Sequence, residues 1–584
     1  MFLKSVDGLK PVDLILRRVE GELCDPLELR SDSHQGVAAL LQAARARTVT
    51  IANAIGSGLA EAKALMGYLP ELCERLLGEP LKIQSVATRW CGDPQSRDEV
   101  LERLDSLAID SAFKRRPMLA AGAGAVLPAN LGDRDRETLI RNLMTRGHEY
   151  VGHDVLSVST TPVWDNGTLA PRPMTLRVFL ASQDNSYIVM PGGLTRVSSS
   201  TDARAIRLQR GDSTKDTWVL SDQPVGGFSL LRSPLSYVEP KRTGKDLPSR
   251  AADNLFWLGR YAERCEDRMR VLRSVLRRLT EDAGPIQDVA ALQRVIGVLT
   301  GAESAAGRRE GKPPFDATAP LETQVFTLLF VADTEHGLQE TLADLRRTAA
   351  LVRDRLSLDA WSTLNRLQAE INRRAPHIAQ AEGAFFNAGE TLELLDDSLR
   401  TLAAFNGMEM ENMTRSHGWR FLNMGRRLER AEHLAQLLTS LLVRGNPEED
   451  GSLILLLELA DSLMTYRSRY LTTPILPPVI DLLLLDETNP RSVGFQMVAL
   501  SDQVDQLPRD ADGEPRSREQ RLMLSLLTDL RLAEIADLCE EDEDGHRHRL
   551  AGLLDGIVTK LPELSEQITR TYFSLGEARR PVDL

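Results

Sequence analysis

Leu258-Gly-Arg-Tyr-Ala-Glu-Arg-Cys-Glu266 and Met424-Gly-Arg-Arg-Leu-Glu-Arg-Ala-Glu432 are one charged phrase written twice. Each copy follows a tryptophan, Trp257 or Trp419, and lies in a run of helix-forming residues. Around the first copy, apolar residues fall at Leu255, Leu258, Ala262, Cys265, Met269, Leu272, Leu276 and Leu279, alternately three and four apart. Around the second they fall at Phe421, Met424, Leu428, Ala431, Ala435, Leu438 and Leu442. That spacing gives each helix one apolar seam and packs helices at a shallow angle, as in a bundle. The C-terminal part therefore reads as a helical unit built twice, with the two motif helices as core neighbours related by pseudo-symmetry.

Working outward, residues 249–280, 286–301, 321–348, 349–373, 389–406, 416–443, 451–469, 490–505, 516–540 and 546–576 all fit amphipathic helices. The expectation is an all-α bundle domain over 249–584. The preceding run Val238-Glu-Pro-Lys-Arg-Thr-Gly-Lys-Asp-Leu-Pro248 is polar, charged and broken by proline, so residues 238–248 read as a linker. Residues 1–237 mix the two periodicities. Residues 12–19, 49–54, 176–182, 186–191 and 216–221 are strand-like, and 33–47, 57–78, 97–107 and 134–147 have helical spacing, which makes this region an α+β or α/β unit. Pro191-Gly-Gly193 and Gly226-Gly227 mark tight loops.

The 584 residues carry 71 basic and 84 acidic side chains, a formal charge of −13 that argues against a general nucleic-acid-binding surface. Five scattered cysteines, Cys24, Cys73, Cys91, Cys265 and Cys539, form no C-x-x-C pair and no disulfide framework, which points to a reducing cytoplasm. No charged n-region leads into an apolar core, and runs such as Ile480–Leu485 are far too short to span a bilayer. Neither export nor membrane insertion is expected.

At about 100° per residue, Arg260, Glu263, Arg264 and Asp267 share the face opposite the first seam, as do Arg426, Glu429 and Arg430 opposite the second. Two readings follow. Charged helix faces are most often solvated and carry ion pairs worth about 0.2–0.5 kcal/mol each. Alternatively the two sets face a shared cleft that binds an anion or a peptide carboxylate, for which arginine's planar fork is suited. Asn254, Tyr261, Trp257 and Trp419 could complete such a cleft, although large aromatics at helical spacing are more often core. Tyr466-Arg-Ser-Arg-Tyr470 and Asn489-Pro-Arg-Ser-Val-Gly-Phe-Gln496 stand at helix ends, with Asn489 the expected cap of a helix carrying Pro490 in its first turn.

In the first unit Arg17-Arg18 ends a strand, and Asn53 ends another before Gly56-Ser-Gly58. Carboxylate and amide oxygens at strand ends can hold a magnesium–phosphate group, with arginines offsetting its charge. Neither the P-loop spacing nor the G-x-G-x-x-G fingerprint occurs. The nine histidines form no metal set: His148 and His153 are five apart near a strand, and His546 and His548 follow the acidic run Glu540–Asp544, which reads as a solvated loop. No nucleophile–histidine–acid arrangement is legible.

Taken together, Val12-Asp-Leu-Ile-Leu-Arg-Arg-Val19, Cys24-Asp-Pro-Leu-Glu-Leu-Arg-Ser-Asp-Ser33, Ala52-Asn-Ala-Ile-Gly-Ser-Gly58, Ser85-Val-Ala-Thr-Arg-Trp-Cys-Gly92, Pro171-Arg-Pro-Met-Thr-Leu-Arg-Val-Phe179, Met190-Pro-Gly-Gly-Leu-Thr-Arg196 and Lys215-Asp-Thr-Trp-Val-Leu-Ser-Asp222 resemble the circularly permuted ATP-grasp family. From about residue 247 the doubled phrase, with Tyr466–Tyr470 and Asn489–Ser492, resembles the alpha-E domain often fused to it. The resemblance implies an ATP-dependent carboxylate–amine ligase that forms amide or peptide bonds through an acyl phosphate, using ATP and Mg2+ on small-molecule or peptide carboxylates and amines. It implies Arg17, Arg18 and Arg177 as phosphate or acyl-phosphate contacts, Lys215 and Arg196 as nucleotide contacts, and Glu28 and Asn53 as metal ligands. Phosphoryl transfer of this kind relies on electrostatic stabilisation by metal and basic groups.

The chain departs from the family pattern in three places. It begins in the middle of the ATP-grasp unit, so the expectation is a partial domain with weak or absent turnover alone, its other half supplied either by a separate protein or by a longer native product with an earlier start. Asp110 stands where a basic residue is expected and would repel nucleotide phosphate by about 1–4 kcal/mol at surface-like dielectric. The usual Gln-Glu near the adenine hinge is replaced in Tyr150-Val-Gly-His-Asp154. The alternative to a ligase is a non-catalytic binding or scaffold protein whose helical bundle recognises a peptide or anionic ligand.

Overall fold

Thirteen strands and eighteen α-helices are assigned among the described residues of the computed structural model, which are 1–113, 125–156, 158–165, 167–183, 186–198, 213–222, 247–280, 289–301, 315–331, 334, 336–379, 387–445, 449–509 and 515–574. Every assigned strand lies before residue 218, and every assigned element from Ser249 on is a helix. The architecture is an α+β region followed by an all-α region. The expected linker residues 238–246 and the turn at Gly226-Gly227 lie outside the described residues. Packing divides the chain into two compact units, one formed by Asp13–Glu239 with Met1 and the other by Phe2–Val12 with Pro240–Leu584.

The strands are β1 (Phe2–Ser5), β2 (Gly8–Pro11), β3 (Leu14–Leu16), β4 (Thr50–Ala52), β5 (Thr88–Trp90), β6 (Leu107–Ser111), β7 (Tyr150–Asp154), β8 (Thr160–Asp165), β9 (Thr168–Arg177), β10 (Leu180–Gln183), β11 (Ser186–Val189), β12 (Gly193–Val197) and β13 (Ser213–Thr217). In the first unit, β3 and β4 pair in parallel, β5-β7-β6 make an antiparallel sheet, β10 and β11 form a hairpin, and β13-β12-β9-β8 make a four-stranded antiparallel sheet. Its helices are α1 (Leu40–Arg45), α2 (Leu69–Leu77), α3 (Pro94–Glu102) and α4 (Asp133–Arg146). Val100, Leu104, Leu139 and Leu143 close one face of the three-stranded sheet over Leu107, Ile109 and Tyr150.

Several boundaries differ from expectation for local reasons. Residues 33–47 form a helix only over α1, and 57–78 resolve into 3-10 turns followed by α2. The helix expected at 97–107 starts earlier, because the Asp93 carboxylate caps Ser96 N–H at 2.8 Å and Pro94 occupies the first turn. Residues 176–182 straddle the end of β9 and the start of β10, and the strand expected at 216–221 ends at Thr217.

In the second unit the helices are α5 (Ser249–Thr280), α6 (Val289–Thr300), α7 (Leu321–Phe330), α8 (Leu338–Leu351), α9 (Leu358–Ala379), α10 (Ala388–Asn412), α11 (His417–Leu442), α12 (Glu449–Leu459), α13 (Leu463–Tyr470), α14 (Leu476–Ile480), α15 (Val493–Asp505), α16 (Arg518–Arg531), α17 (Ile535–Leu538) and α18 (His548–Ile568). Leu255, Leu258, Ala262, Cys265, Met269, Leu272 and Leu276 of the first seam and all seven residues of the second are buried, and Leu279 is half-buried. The β1–β2 hairpin joins this unit: Val6 is buried and its N–H donates to Leu247 O at 3.0 Å. Asn489 is not the expected cap. α15 begins at Val493, where the Ser492 hydroxyl accepts from Phe495 N–H at 3.0 Å, while Asn489 Nδ2 donates to Leu482 O at 2.9 Å and its Oδ1 accepts from Arg491 N–H.

Candidate functional site

The doubled phrase places α5 against α11 with their backbones in close approach. A β-carbon at Gly259 would strike the Leu422 carbonyl, and one at Gly425 would strike the Phe256 carbonyl. The two contacts are equivalent under the repeat, so a pseudo-dyad runs through this crossing. Only glycine allows it, because each obstacle is backbone rather than a movable side chain.

One helical turn further on, the charges interlock. Arg430 clasps Glu263 through both Nε and Nη2, the latter at 2.8 Å, and Arg426 Nε stands 3.7 Å from the same carboxylate. Reciprocally, Arg264 clasps Glu429 through Nε at 2.5 Å and Nη2 at 3.0 Å, and Arg260 Nε donates to it at 2.6 Å. Arg260 also reaches Glu432 at 2.8 Å and Ser565 Oγ at 3.2 Å. Glu266, the last residue of the first phrase, takes Arg270 and Arg491 at 3.0 Å each, with Asn406 donating at 3.2 Å. The Glu263 side chain is 0% exposed and that of Glu429 10%, so neither the solvated-face reading nor the open-cleft reading survives. α5 packs against α6, α7, α8, α10, α11 and α12, so much of its polar face meets helix, with Arg264 remaining 30% exposed. Buried charges persist there because they are paired and hydrogen-bonded.

The electrostatics follow from that pairing. Burial pushes the Glu429 carboxyl up, but the Arg260 and Arg264 guanidiniums outweigh it and hold it at about 2. Burial opposes the charged forms of Arg264 and Arg430, and the facing carboxylates of Glu429 and Glu263 more than restore them. At the margin, burial together with the Glu263 and Glu266 charges drives Asp267 well above its ordinary range. Glu409 of α10 is raised to about 8 by burial, countered only in part by Arg426, and neither carboxylate oxygen has a partner among the described residues. The partners Glu266 and Glu432 could have been read from the repeat; Ser565, Arg491 and Asn406 lie far away in sequence and could not.

The aromatics beside the phrase pack on it. Arg260 lies 5.2 Å over the half-buried Trp257 and Arg264 lies 5.6 Å over Tyr261, while Trp419 is buried under Arg415 at 4.3 Å. Asn254 bonds within its own helix, to Arg250 O at 2.8 Å.

In the first unit the expected phosphate and metal contacts form separate groups. Arg17 leaves β3 and folds onto the loop after β4, donating to Asn53 O at 2.9 Å, Ala54 O at 3.1 Å, Ser57 Oγ at 2.9 Å and Val19 O at 2.7 Å. Four bonds nearly exhaust a guanidinium with five N–H donors. Arg18 beside it is exposed. Glu28 accepts from Arg45 at 2.5 Å. Arg177 and Arg196 share one face of the four-stranded sheet, since Arg177 pairs with Leu194 and Arg196 with Thr175. Lys215 pairs with Thr195 and so points to the opposite face, where its ammonium bonds the Pro162 carbonyl of β8. Asp110 is buried and ion-paired with Lys63, with Ser111 N–H at 2.7 Å, so its charge is neutralised from within the fold rather than left to repel phosphate. Asp154, at the end of the altered Tyr150–Asp154 segment, accepts from Arg89 at 3.1 Å.

Glu28 and Asn53 do not make a cation site. A guanidinium occupies the Glu28 carboxylate, and among the described residues no three His, Cys, Asp or Glu ligands of this unit converge. Among the described residues no helix is long and apolar enough to cross a membrane, and all five cysteines are free.

Residues 247–573 match Alpha-E, a family described as a predicted alpha-helical domain with a conserved ER motif, and residues 1–198 match circularly permuted ATP-grasp type 2. Within 247–573 the Glu-Arg dipeptide occurs at Glu263-Arg264 and Glu429-Arg430, the centre of the ion-pair lock. An uncharacterized protein of Mycobacterium tuberculosis is 29% identical over 594 residues, covering 100% of this chain and 65% of its own length. A second uncharacterized protein of that organism is 33% identical over 240 residues, 40% of this chain and 42% of its own. One from Synechocystis sp. is 30% identical over 218 residues, 37% of this chain and 44% of its own. The chain thus spans 65% of the length of the relative it matches throughout. It belongs to the Alpha-E family, with a circularly permuted ATP-grasp type 2 segment preceding the helical unit.

Proposed function

We propose that the N-terminal unit serves an ATP-dependent carboxylate–amine ligase. In that reaction a substrate carboxylate oxygen attacks the γ-phosphorus of ATP and releases ADP. The amine then attacks the acyl carbon, losing a proton and expelling phosphate, and an amide remains. The observation that carries the reading is the ATP-grasp match of residues 1–198 together with the pair Arg177 and Arg196 on one sheet face, neither ion-paired among the described residues. Two such guanidiniums suit phosphate oxygens. Arg17 and Lys215 fit that role less well, because backbone carbonyls already occupy their donors. ATP-grasp enzymes use ATP with Mg2+; Glu28, already bonded to Arg45, and Asn53 do not fit as its ligands here.

The test is nucleotide affinity, by displacement of a fluorescent ATP analogue, and phosphate release with mixed carboxylates and amines. Replacing both Arg177 and Arg196 by alanine should weaken ATP binding at least tenfold and lower phosphate release. Unchanged affinity would remove both residues from the site.

A specific observation favours a supporting role for the Alpha-E unit. The charges of Arg260, Glu263, Arg264, Glu429 and Arg430 are satisfied across the helix pair, so they brace two central helices rather than wait for an anion. ATP binding without phosphate release for any carboxylate and amine would favour a scaffold role for the whole chain.

A further inference from the structure

His546 and His548 follow an acidic run that reads as a solvated loop, yet the fold brings them onto a carboxylate. The loop before α18 turns at Gly545, whose φ of +72° suits glycine, and it is clasped to the end of α11. Gly445 N–H donates to Gly545 O at 2.7 Å, Arg547 N–H donates to Val443 O at 2.9 Å, and Arg444 and His546 form an antiparallel bridge. Arg547, 1% exposed, anchors the loop from beneath through Leu442 O at 2.6 Å and the Glu541 carboxylate.

Within this loop Asp542 Oδ1 accepts from the N–H groups of Asp544 at 2.9 Å and His546 at 2.8 Å, which fixes the carboxylate and turns Oδ2 toward His548 Nε2, 2.6 Å away. The two imidazoles stand with ring centroids 4.3 Å apart. One ring nitrogen of each and an oxygen of Asp542 all lie within 4.8 Å of one another. His546 Nδ1 is buried and has no hydrogen-bond partner among the described residues. Three ligand atoms converge on a braced loop, and one of these rings carries an orphaned polar atom.

The geometry points to a site for one divalent transition-metal ion, of which Zn2+ is representative, held by Asp542, His546 and His548 with water completing the shell. Two imidazoles and a single carboxylate suit Zn2+, Co2+, Ni2+ or Cu2+, whereas Mg2+ and Ca2+ prefer all-oxygen shells. Zinc–ligand distances of about 2.0–2.2 Å set tetrahedral ligand atoms about 3.3 Å apart, so binding opens the 2.6 Å contact of His548 with Asp542, displacing its proton, and draws the wider-spaced ligand atoms together. The carboxylates of Glu540, Glu543 and Asp544 in the same loop favour a cation, while Arg444 opposite His546 and the N-terminal dipole of α18 oppose it. A bound ion would tie the start of α18 and its loop together as a stabilising clip. This site is independent of the ligase reading.

The test uses the full chain and the metal alone. Calorimetric titration with Zn2+, in excess Mg2+, should show one site per chain, and Co2+ should give a visible absorption band that saturates at one equivalent. The His546→Gln/His548→Gln double variant, with unchanged far-UV circular dichroism, should lose at least tenfold in Zn2+ affinity together with that band. Asp542→Asn, which keeps an acceptor for the loop amides, should weaken binding as well. Equal affinity and stoichiometry in the double variant, or no Zn2+ binding by the unaltered chain, would overturn the assignment.

Discussion

Glu263→Ala removes one carboxylate from between two arginines and leaves both guanidiniums inside the protein. The Glu263 side chain is 0% exposed, and those of Arg426 and Arg430 are 11% and 12% exposed, so neither arginine can readily recover water. Breaking a buried pair by deleting one partner costs about 3–5 kcal/mol. The pseudo-equivalent Glu429→Ala should cost less, because the buried Arg260 keeps Glu432 and Arg264, 30% exposed, can rehydrate. Urea unfolding followed by circular dichroism at 222 nm, a signal dominated by the helical unit, reads the effect directly. With a slope of about 2–3 kcal/mol per molar urea, Glu263→Ala should lower the midpoint by about 1–2 M. Arg430→Ala in the Glu263→Ala background should give back part of that loss, a coupling of about 1–3 kcal/mol. Glu263→Ala and Glu429→Ala with small, additive effects near zero would refute the buried lock and restore the solvated-face reading.

Gly425→Ala should lower the same midpoint by a cost of about 1–3 kcal/mol or more, since its methyl meets the Phe256 carbonyl, and a midpoint at the wild-type value would refute the close crossing. The carboxyls of Glu429 and Glu266 are held at about 2 against an ordinary 4.5, so their stabilisation is fully present above about pH 4.5 and is lost as pH falls toward 2; a helical transition indifferent to pH between 4.5 and 2 would contradict this. Glu409 has the opposite sign: raised to about 8, it is held neutral in the fold, and stability declines as pH rises from about 4.5 through 8. Glu409→Gln should therefore raise the urea midpoint more at pH 9 than at pH 5, and an equal change at both would rule out the neutral acid. Lys63→Met should leave Asp110 buried with only a backbone donor and destabilise the first unit by about 1–3 kcal/mol, seen as faster limited proteolysis of that unit, whereas an unchanged rate would mean that the pair contributes little.

Helix positions in the second unit were legible because a seam such as Leu255, Leu258, Ala262 and Cys265 is a local pattern. The breaks between helices were less so. Residues 321–348 read as one helix but give two, one ending at Phe330 and one beginning at Leu338, and 451–469 divide at Asp461, whose φ of +52° no periodicity announces. In the first unit, strands of three to five residues carry too little alternation to mark their ends, as at Leu14–Leu16 and Thr50–Ala52. Of the candidate site residues, Arg177 and Arg196 share a face whereas Lys215 does not, a distinction set by strand register rather than by proximity in sequence.

The amino-acid sequence by itself determined the two-part organisation, the duplicated motif and the family, because each is carried by order and spacing along the chain. Tertiary structure alone decided what the charges do. Burial depends on which other elements surround a face, and α5 packs against six other helices, so residues that read as a wet surface became buried and half-buried ion pairs of the bundle. The same dependence on distant neighbours joined Lys63 to Asp110, Arg491 to Glu266, and the two histidines to Asp542.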